Sequence, residues 1–171
     1  NLALLMRNPK RDHDLVALSV VYDDANIDRK RSEGAKLLEQ VTSYAASADV
    51  KMQSQLRVAT NIANGIMHAF KEFRATEVVI GMHMHFSDST TFWGKFHQSL
   101  FNGLSRQIII ARLMQPLSTL RRIVVCVPSR AQFEPGFYRW LERLSRLAEN
   151  LDCRIAYHGR QDTLTRIRQY E

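Results

Sequence analysis

Glu77-Val78-Val79-Ile80-Gly81-Met82-His83-Met84-His85 runs directly into Phe86-Ser87-Asp88-Ser89-Thr90-Thr91-Phe92-Trp93-Gly94-Lys95, and this stretch decides the fold. A short apolar run ends on a glycine, a polar loop comes next, and an amphipathic segment opens. The pattern is strand, loop, helix start. In that geometry the backbone N–H groups of a loop and of a helix N-terminus can receive a phosphate.

The pattern on either side repeats this alternation. Leu15-Val16-Ala17-Leu18-Ser19-Val20-Val21-Tyr22 is a continuous apolar run, as in a strand buried on both faces. Asp23-Asp24-Ala25-Asn26 ends it and can cap the next helix. Leu37, Leu38, Val41, Tyr44, Ala45 and Ala48 recur at helical spacing and predict a helix from about Asp28 to Ala48, with Gly34 a weak point in its first half. Gln55 to Thr60 is a short strand, and Ile62, Ile66, Phe70 and Phe73 mark the next helix face. Glu77 to His83 is the third strand, Phe92, Trp93, Phe96, Leu100, Phe101 and Leu104 stripe a helix as core, and Ile108 to Arg112 is a fourth strand. After Met114-Gln115-Pro116-Leu117-Ser118 the alternation restarts. Arg122 to Pro128 is a strand, and Phe137, Trp140, Leu141, Leu144, Leu147, Ala148 and Leu151 form a strong helix stripe. Cys153 to His158 is a strand, and Asp162 to Tyr170 a short basic helix. Strands alternating with helices over these lengths predict an α/β fold, with a mainly parallel sheet between helical layers. Ligands in such folds bind outside the carboxyl ends of the strands, where the Gly81 loop lies.

Composition narrows the function. With 171 residues, 45% hydrophobic and 24% charged, the chain suits one domain or slightly more, and it can bury a core without disulfides. Cys126 and Cys153 fall in strand-like runs and are expected to be two reduced, buried thiols, as in a reducing cytoplasm. No apolar run approaches the roughly 20 residues of a membrane span. Asn1 to Met6 is too short, and lacks the basic leader, to read as a signal peptide. The opening Leu2-Ala3-Leu4-Leu5-Met6 reads as the tail of a helix in a piece cut from a longer polypeptide. Residues 1–105 hold 12 Lys/Arg against 11 Asp/Glu, and residues 106–171 hold 12 arginines against 6 acids, so nearly all of the net charge of +7 sits in the last third. That excess is either a solvated arginine face or a surface set against something anionic. No nucleic-acid motif or aromatic stacking platform accompanies it, so nucleic acid is not an expected partner.

No catalytic constellation emerges, and an enzyme is not expected. Ser87-Asp88-Ser89-Thr90-Thr91 lies near histidines but lacks a nucleophile elbow, and Asp88 or Ser89 reads as a helix N-cap. His83 and His85 would point the same way from a strand, yet no cysteine or paired-carboxylate motif joins them, so no metal site is assigned. Histidines there could give a pH response.

The Gly81 loop resembles that of the universal stress protein (USP) family, in which a glycine, two residues, a second glycine and nine residues precede a glycine and a hydroxyl residue. Gly81 and Gly94 stand at the outer positions, Met84 replaces the middle glycine and Lys95 replaces the hydroxyl residue. The resemblance places a USP-like α/β domain lacking its first strand at 1–118. At 119–171 it places a partial second repeat of strand, helix, strand and helix. Ala3-Leu4-Leu5-Met6-Arg7-Asn8-Pro9-Lys10, with Leu15-Val16-Ala17-Leu18 after it, is similar to the cytoplasmic tails of bacterial monovalent cation:proton antiporters. The resemblance implies a regulatory domain at the cytoplasmic face of the cell membrane, joined to a membrane transport domain of the same polypeptide. It also implies a homodimer, with the basic surface near an anionic leaflet. The alternatives are a free-standing, ATP-binding stress protein and a dimerisation module without ligand. No cofactor is required. An ATP- or AMP-type nucleotide is the ligand the family implies, at Gly81, His83, Met84, Gly94 and Lys95. Two departures count against it. The family's adenine- and ribose-contacting Asp comes after the missing first strand, and Met84 adds a side chain where phosphate needs close backbone approach. Lys95 could neutralise a phosphate only as a point charge. The missing strand would sit beside the Gly81 strand at the centre of the sheet, and Arg122 to Pro128 is expected to fill its place, within the chain or across a dimer.

Overall fold

The hydrophobic periodicity is realised element by element. In the computed structural model, which describes residues 1–11, 14–81, 90–104 and 106–170 (for 90–95 and 97 the backbone alone), helix α1 (Leu2–Met6) precedes strand β1 (Leu15–Tyr22). Next come α2 (Ile27–Ser47), β2 (Met52–Ala59), α3 (Ile62–Glu72), β3 (Glu77–Gly81), α4 (Thr90–Gly103) and β4 (Gln107–Ala111). The restart supplies β5 (Arg122–Cys126), α5 (Phe137–Leu151), β6 (Arg154–His158) and α6 (Gln161–Arg168). This is an α/β fold of parallel strand pairs interleaved with helices. Strand β2 begins three residues earlier than its apolar pattern. It pairs with β1 over eight residues, from Leu15↔Met52 to Tyr22↔Ala59, and the exposed Gln53 and Ser54 carry ladder hydrogen bonds without any apolar signature.

The strands pair as β1–β2, β3–β4 and β5–β6. Among the described residues β5 shares a sheet with β6 and not with β1 or β3, so Arg122 to Pro128 does not fill the place of the missing strand within the chain. The reason lies in the restart itself. Strand β5 leads into its own crossover helix and parallel partner, in register from Arg122↔Arg154 to Cys126↔His158, and Val127 N–H extends the ladder to the His158 carbonyl at 2.7 Å.

The chain divides into two compact units, one of residues 13–78 and 83–109, the other of residues 1–12, 79–82 and 110–171. In the first, helices cover both faces of the β1–β2 pair. Successive residues of a strand point to opposite faces. A Cβ placed on Gly34 of α2 would lie 2.8 Å from Ser19 Oγ and 3.1 Å from Leu56 Cδ1, whereas one on Gly65 of α3 would lie 2.6 Å from Val20 Cγ1 and 3.2 Å from Ala59 Cβ. Ser19 and Val20 are adjacent, so α2 and α3 lie on opposite faces. Gly34 is therefore the point of closest approach to the sheet, and not a flaw in α2. Helix α3 does the same with small residues: Ala63, Gly65 and Ala69 are its buried positions, and the larger Ile66 and Phe70 are half-buried. In α4, Leu100 and Leu104 are buried as expected, but Phe101 is half exposed.

In the second unit the core gathers Val127, Ala131, Phe137, Leu141 and Ile167, with Val125, Trp140, Tyr157 and Leu164 packed against it. The Phe137 ring meets Trp140 edge-on, centroids 5.4 Å apart at 89°. Burying Phe137 and Leu141 contributes about 2–3 kcal/mol each, so this stripe anchors α5. The other face of the β5–β6 pair is open. Val124 is 55% exposed and Cys126 beside it is exposed. The expected burial of both thiols is thus corrected: Cys126 alternates out of the core, while Cys153 is half-buried with its thiol donating to the Leu120 carbonyl at 3.2 Å. Neither forms a disulfide.

The two glycine contacts differ in what must yield. Ser19 Oγ can rotate away, whereas the β-branched Val20 is stiff. Gly65→Ala should destabilise the protein by about 1–3 kcal/mol through overpacking. Gly34→Ala should lie near neutral, because a helix-propensity gain of about 1 kcal/mol offsets the shift. Chemical denaturation of the two variants checks the order, and equal losses would contradict it.

Candidate functional site

At the carboxyl end of the β1–β2 pair, Asp23 N–H donates to the Ala59 carbonyl at 3.2 Å and closes the ladder. Asp24 then turns the chain. Its Oδ1 accepts the Asn26 N–H at 3.0 Å, and its other oxygen takes the Lys30 ammonium. Capping thus falls to Asp24, and Asn26 makes no side-chain cap bond. Lys30 Nζ also sits 5.7 Å above the centre of the Tyr22 ring. The Lys30 side-chain hydrogen bond, and then the Asn26 N–H, hold the Asp24 carboxyl below the ordinary aspartate range. Across the strand pair, the Asn61 side chain accepts the Asn64 N–H at 3.3 Å and caps α3. The Asp24 carboxylate is thus engaged on both oxygens.

Of the nucleotide-site residues expected from the sequence, Gly81 ends β3 and is exposed, and among the described residues a Cβ there would meet nothing within 4 Å. His83 and Met84 lie outside the described residues, and so do His85, Asp88 and Ser89. Gly94 and Lys95 belong to α4, with side chains outside the description. Of these five, the described residues take in Gly81 and the backbone of Gly94 and Lys95. Among the described residues no cluster of three or more metal-ligating side chains occurs.

A built cleft lies elsewhere, in the second unit, where α1 meets α5. A helix of five residues cannot hold itself in water, and its last carbonyls have no partners within the helix. Helix α5 supplies them. Asn150 Nδ2 donates to the Leu5 carbonyl at 2.7 Å, and the guanidinium of Arg143, only 5% exposed, donates to the Met6 carbonyl at 3.2 Å. Asn8, 4% exposed, donates to Glu142 Oε1 at 2.6 Å. Its own Oδ1 accepts the Lys10 N–H at 3.1 Å, and its carbonyl accepts the Arg11 N–H at 3.1 Å, so the connection turns sharply. Beyond this junction opens a cleft of 360 Å³. Asn8, Lys10 and Arg11 line it from the connection, Glu142, Ser145, Arg146 and Glu149 from one face of α5, and Tyr170 from the C-terminal turn. The Tyr170 ring leans on Tyr138 at 5.3 Å between centroids. Among the described residues no ion pair engages Lys10, Arg11, Arg146 or Glu149. The volume falls within the range of small-molecule sites.

Sequence reasoning missed Asn8, Arg143 and Asn150. Arg143 left a signal: it sits within the apolar stripe of α5, between Trp140 and Leu147, where a charge is buried only to meet a partner. Asn8-Pro9 is a turn signal, but nothing in the sequence says which helix the turn faces.

Two outcomes check these contacts. Arg143→Met should cost about 1–3 kcal/mol, because the Met6 carbonyl is left buried without its donor, and it should speed amide exchange in α1 while sparing α2. Uniform loss of protection would mean that Arg143 supports the whole core instead. Lys30→Met should raise the Asp24 pKa toward the ordinary value in a carboxyl NMR titration. A lowered folded-state pKa gives stability present above the unfolded value and lost as pH falls through the folded one, so that acid-sensitive contribution should shrink in the variant. An unmoved midpoint would show that the Asn26 N–H carries the shift. No protein-family model matches the chain, and no curated protein matches it.

Proposed function

We propose that the chain is a regulatory domain of a membrane Na⁺(K⁺)/H⁺ antiporter, acting at the cytoplasmic face of the cell membrane and modulating cation:proton exchange through a bound ligand or through dimerisation. One observation carries this reading: the order of elements. Helix α1 leads into β1-α2-β2-α3-β3-α4-β4, and the alternation then restarts as β5-α5-β6-α6. That is the order expected of the USP-like tails of such antiporters, with the first strand absent and a partial repeat behind. The strand and the helix of the opening stretch correspond to β3 and α4.

The charge distribution supports the same reading. Arg121, Arg122, Arg130, Arg139, Arg154 and Arg168 are exposed. An arginine-rich surface suits a domain held near an anionic leaflet, where each basic side chain adds roughly 1 kcal/mol of attraction. No helix among the described residues is long and apolar enough to cross a membrane, so any span would have to come from elsewhere in the polypeptide.

The complete polypeptide that carries this chain should contain a series of hydrophobic spans of about 20 residues each. Excising residues 1–171 should alter the pH or cation dependence of proton flux in everted membrane vesicles without abolishing exchange. A polypeptide lacking such spans, or identical flux with and without the domain, would remove the reading.

A further inference from the structure

The cleft between the α1–β1 connection and α5 is built from parts that recognise one kind of ligand. Lys10, Arg11 and Arg146 bring three cations to it, and among the described residues no carboxylate is paired with any of them. Glu142 also lines it, but its Oε1 is already occupied by the amide of Asn8, itself nine-tenths buried. Ser145 adds a hydroxyl, the Tyr170 ring forms part of the wall, and Glu149 is left as an acceptor. Arginine and lysine without carboxylate partners are the side chains that meet phosphate oxygens. A carboxylate in the same lining disfavours a bare polyanion and accepts a hydroxyl donor.

We propose that this cleft binds a phosphate monoester or diester that also carries hydroxyl groups, with the phosphate against Lys10, Arg11 and Arg146 and a hydroxyl donated to Glu149. Gly81 is not among the residues that line the cleft, and the proposal concerns the chain itself, whether or not it belongs to a transporter. It has a structural consequence. Asn8, Lys10 and Arg11 directly succeed α1, while Arg146 lies on the helix whose Arg143 and Asn150 hold the end of α1. A phosphate bridging Arg11 and Arg146 therefore adds a bond across the α1–α5 junction, and an occupied cleft holds α1 more firmly.

The chemistry is shared by a soluble sugar or polyol phosphate and by a lipid headgroup, and the experiment separates them. Residues 1–171 are titrated with inorganic phosphate and with glycerol 1-phosphate at constant ionic strength, monitored by amide NMR. Saturable shifts are expected at Asn8, Lys10, Arg11, Ser145 and Arg146, with slower hydrogen exchange in α1. Glycerol 1-phosphate should bind more tightly than inorganic phosphate, and Glu149→Gln should narrow that difference. Arg146→Gln should weaken both by about tenfold, as loss of a charge-assisted contact does. Arg11→Gln, at an exposed position, should do so with the fold undisturbed. Non-saturating shifts, shifts spread over arginines outside the cleft, or binding unchanged in both arginine variants would overturn the proposal. With saturable binding in hand, flotation with vesicles of phosphatidylglycerol in phosphatidylcholine assigns the source. Flotation lost in Arg146→Gln and competed by glycerol 1-phosphate supports a headgroup ligand, and no flotation of the wild-type chain supports a soluble one.

Discussion

Parallel pairing is the constraint on which the rest of the structure depends. Two parallel strands cannot be joined by a tight turn; each pair needs a crossover, and the crossover helix lands on one face of the pair. A parallel pair is therefore made to be covered on both sides. The β1–β2 pair achieves this. Helices α2 and α3 press onto opposite faces, and each does so through a glycine at its closest approach, Gly34 over Ser19 and Gly65 over Val20. The β5–β6 pair obeys the same rule on one face only. The face carrying Val125, Val127 and Tyr157 is packed by α5 and α6, while Val124 and Cys126 face outward. Two copies of one supersecondary unit thus differ in how far the rule is carried through.

The α1–α5 junction shows a second, polar constraint at work. Hydrophobic burial alone would fix α1 poorly, since its five residues bury fully only Met6. What docks it is the unmet need of its last carbonyls. Arg143 and Asn150 answer that need from a helix more than 130 residues away in sequence, and Asn8 with Glu142 continues the contact past the helix end. The cost of burying a guanidinium is offset because it leaves no orphan on either side. The start of the chain is in this way a structural part of the unit formed by its last third.

The fold was legible in the sequence for a plain reason. Each element carries its own periodicity: the stripe of α5 from Phe137 to Leu151 and the apolar run of β1 can be read locally, and both stand where the pattern puts them. Failures came where a residue's place is set by something distant. Cys126 sits in an apolar run, yet alternation on a strand with one covered face turns it out to the surface. Arg122 to Pro128 reads as a strand, but its partner, β6, lies beyond α5 in the sequence and is not marked in the strand itself. The cleft was not legible for the same reason: Asn8, Arg143 and Asn150 acquire meaning only when α1 and α5 are side by side.

Net charge is the clearest case of a sequence property that structure must divide before it can be interpreted. The last third of the chain holds twelve basic residues, all arginine. One of them, Arg143, is not surface charge at all, because it is buried against the end of a helix. Arg166 is turned along the surface to the Tyr138 hydroxyl and the Gln169 side chain. Arg146 faces the cleft, and Arg121 folds back on the carbonyls of Ser118 and Leu120. The planar guanidinium explains why arginine fills each of these places. It holds its donors in one rigid plane and packs flat against apolar surface, whereas a lysine ammonium is a compact point charge. An excess of arginine is therefore first a supply of directed donors, and only the part not used in holding the fold remains to act as a field on a distant partner.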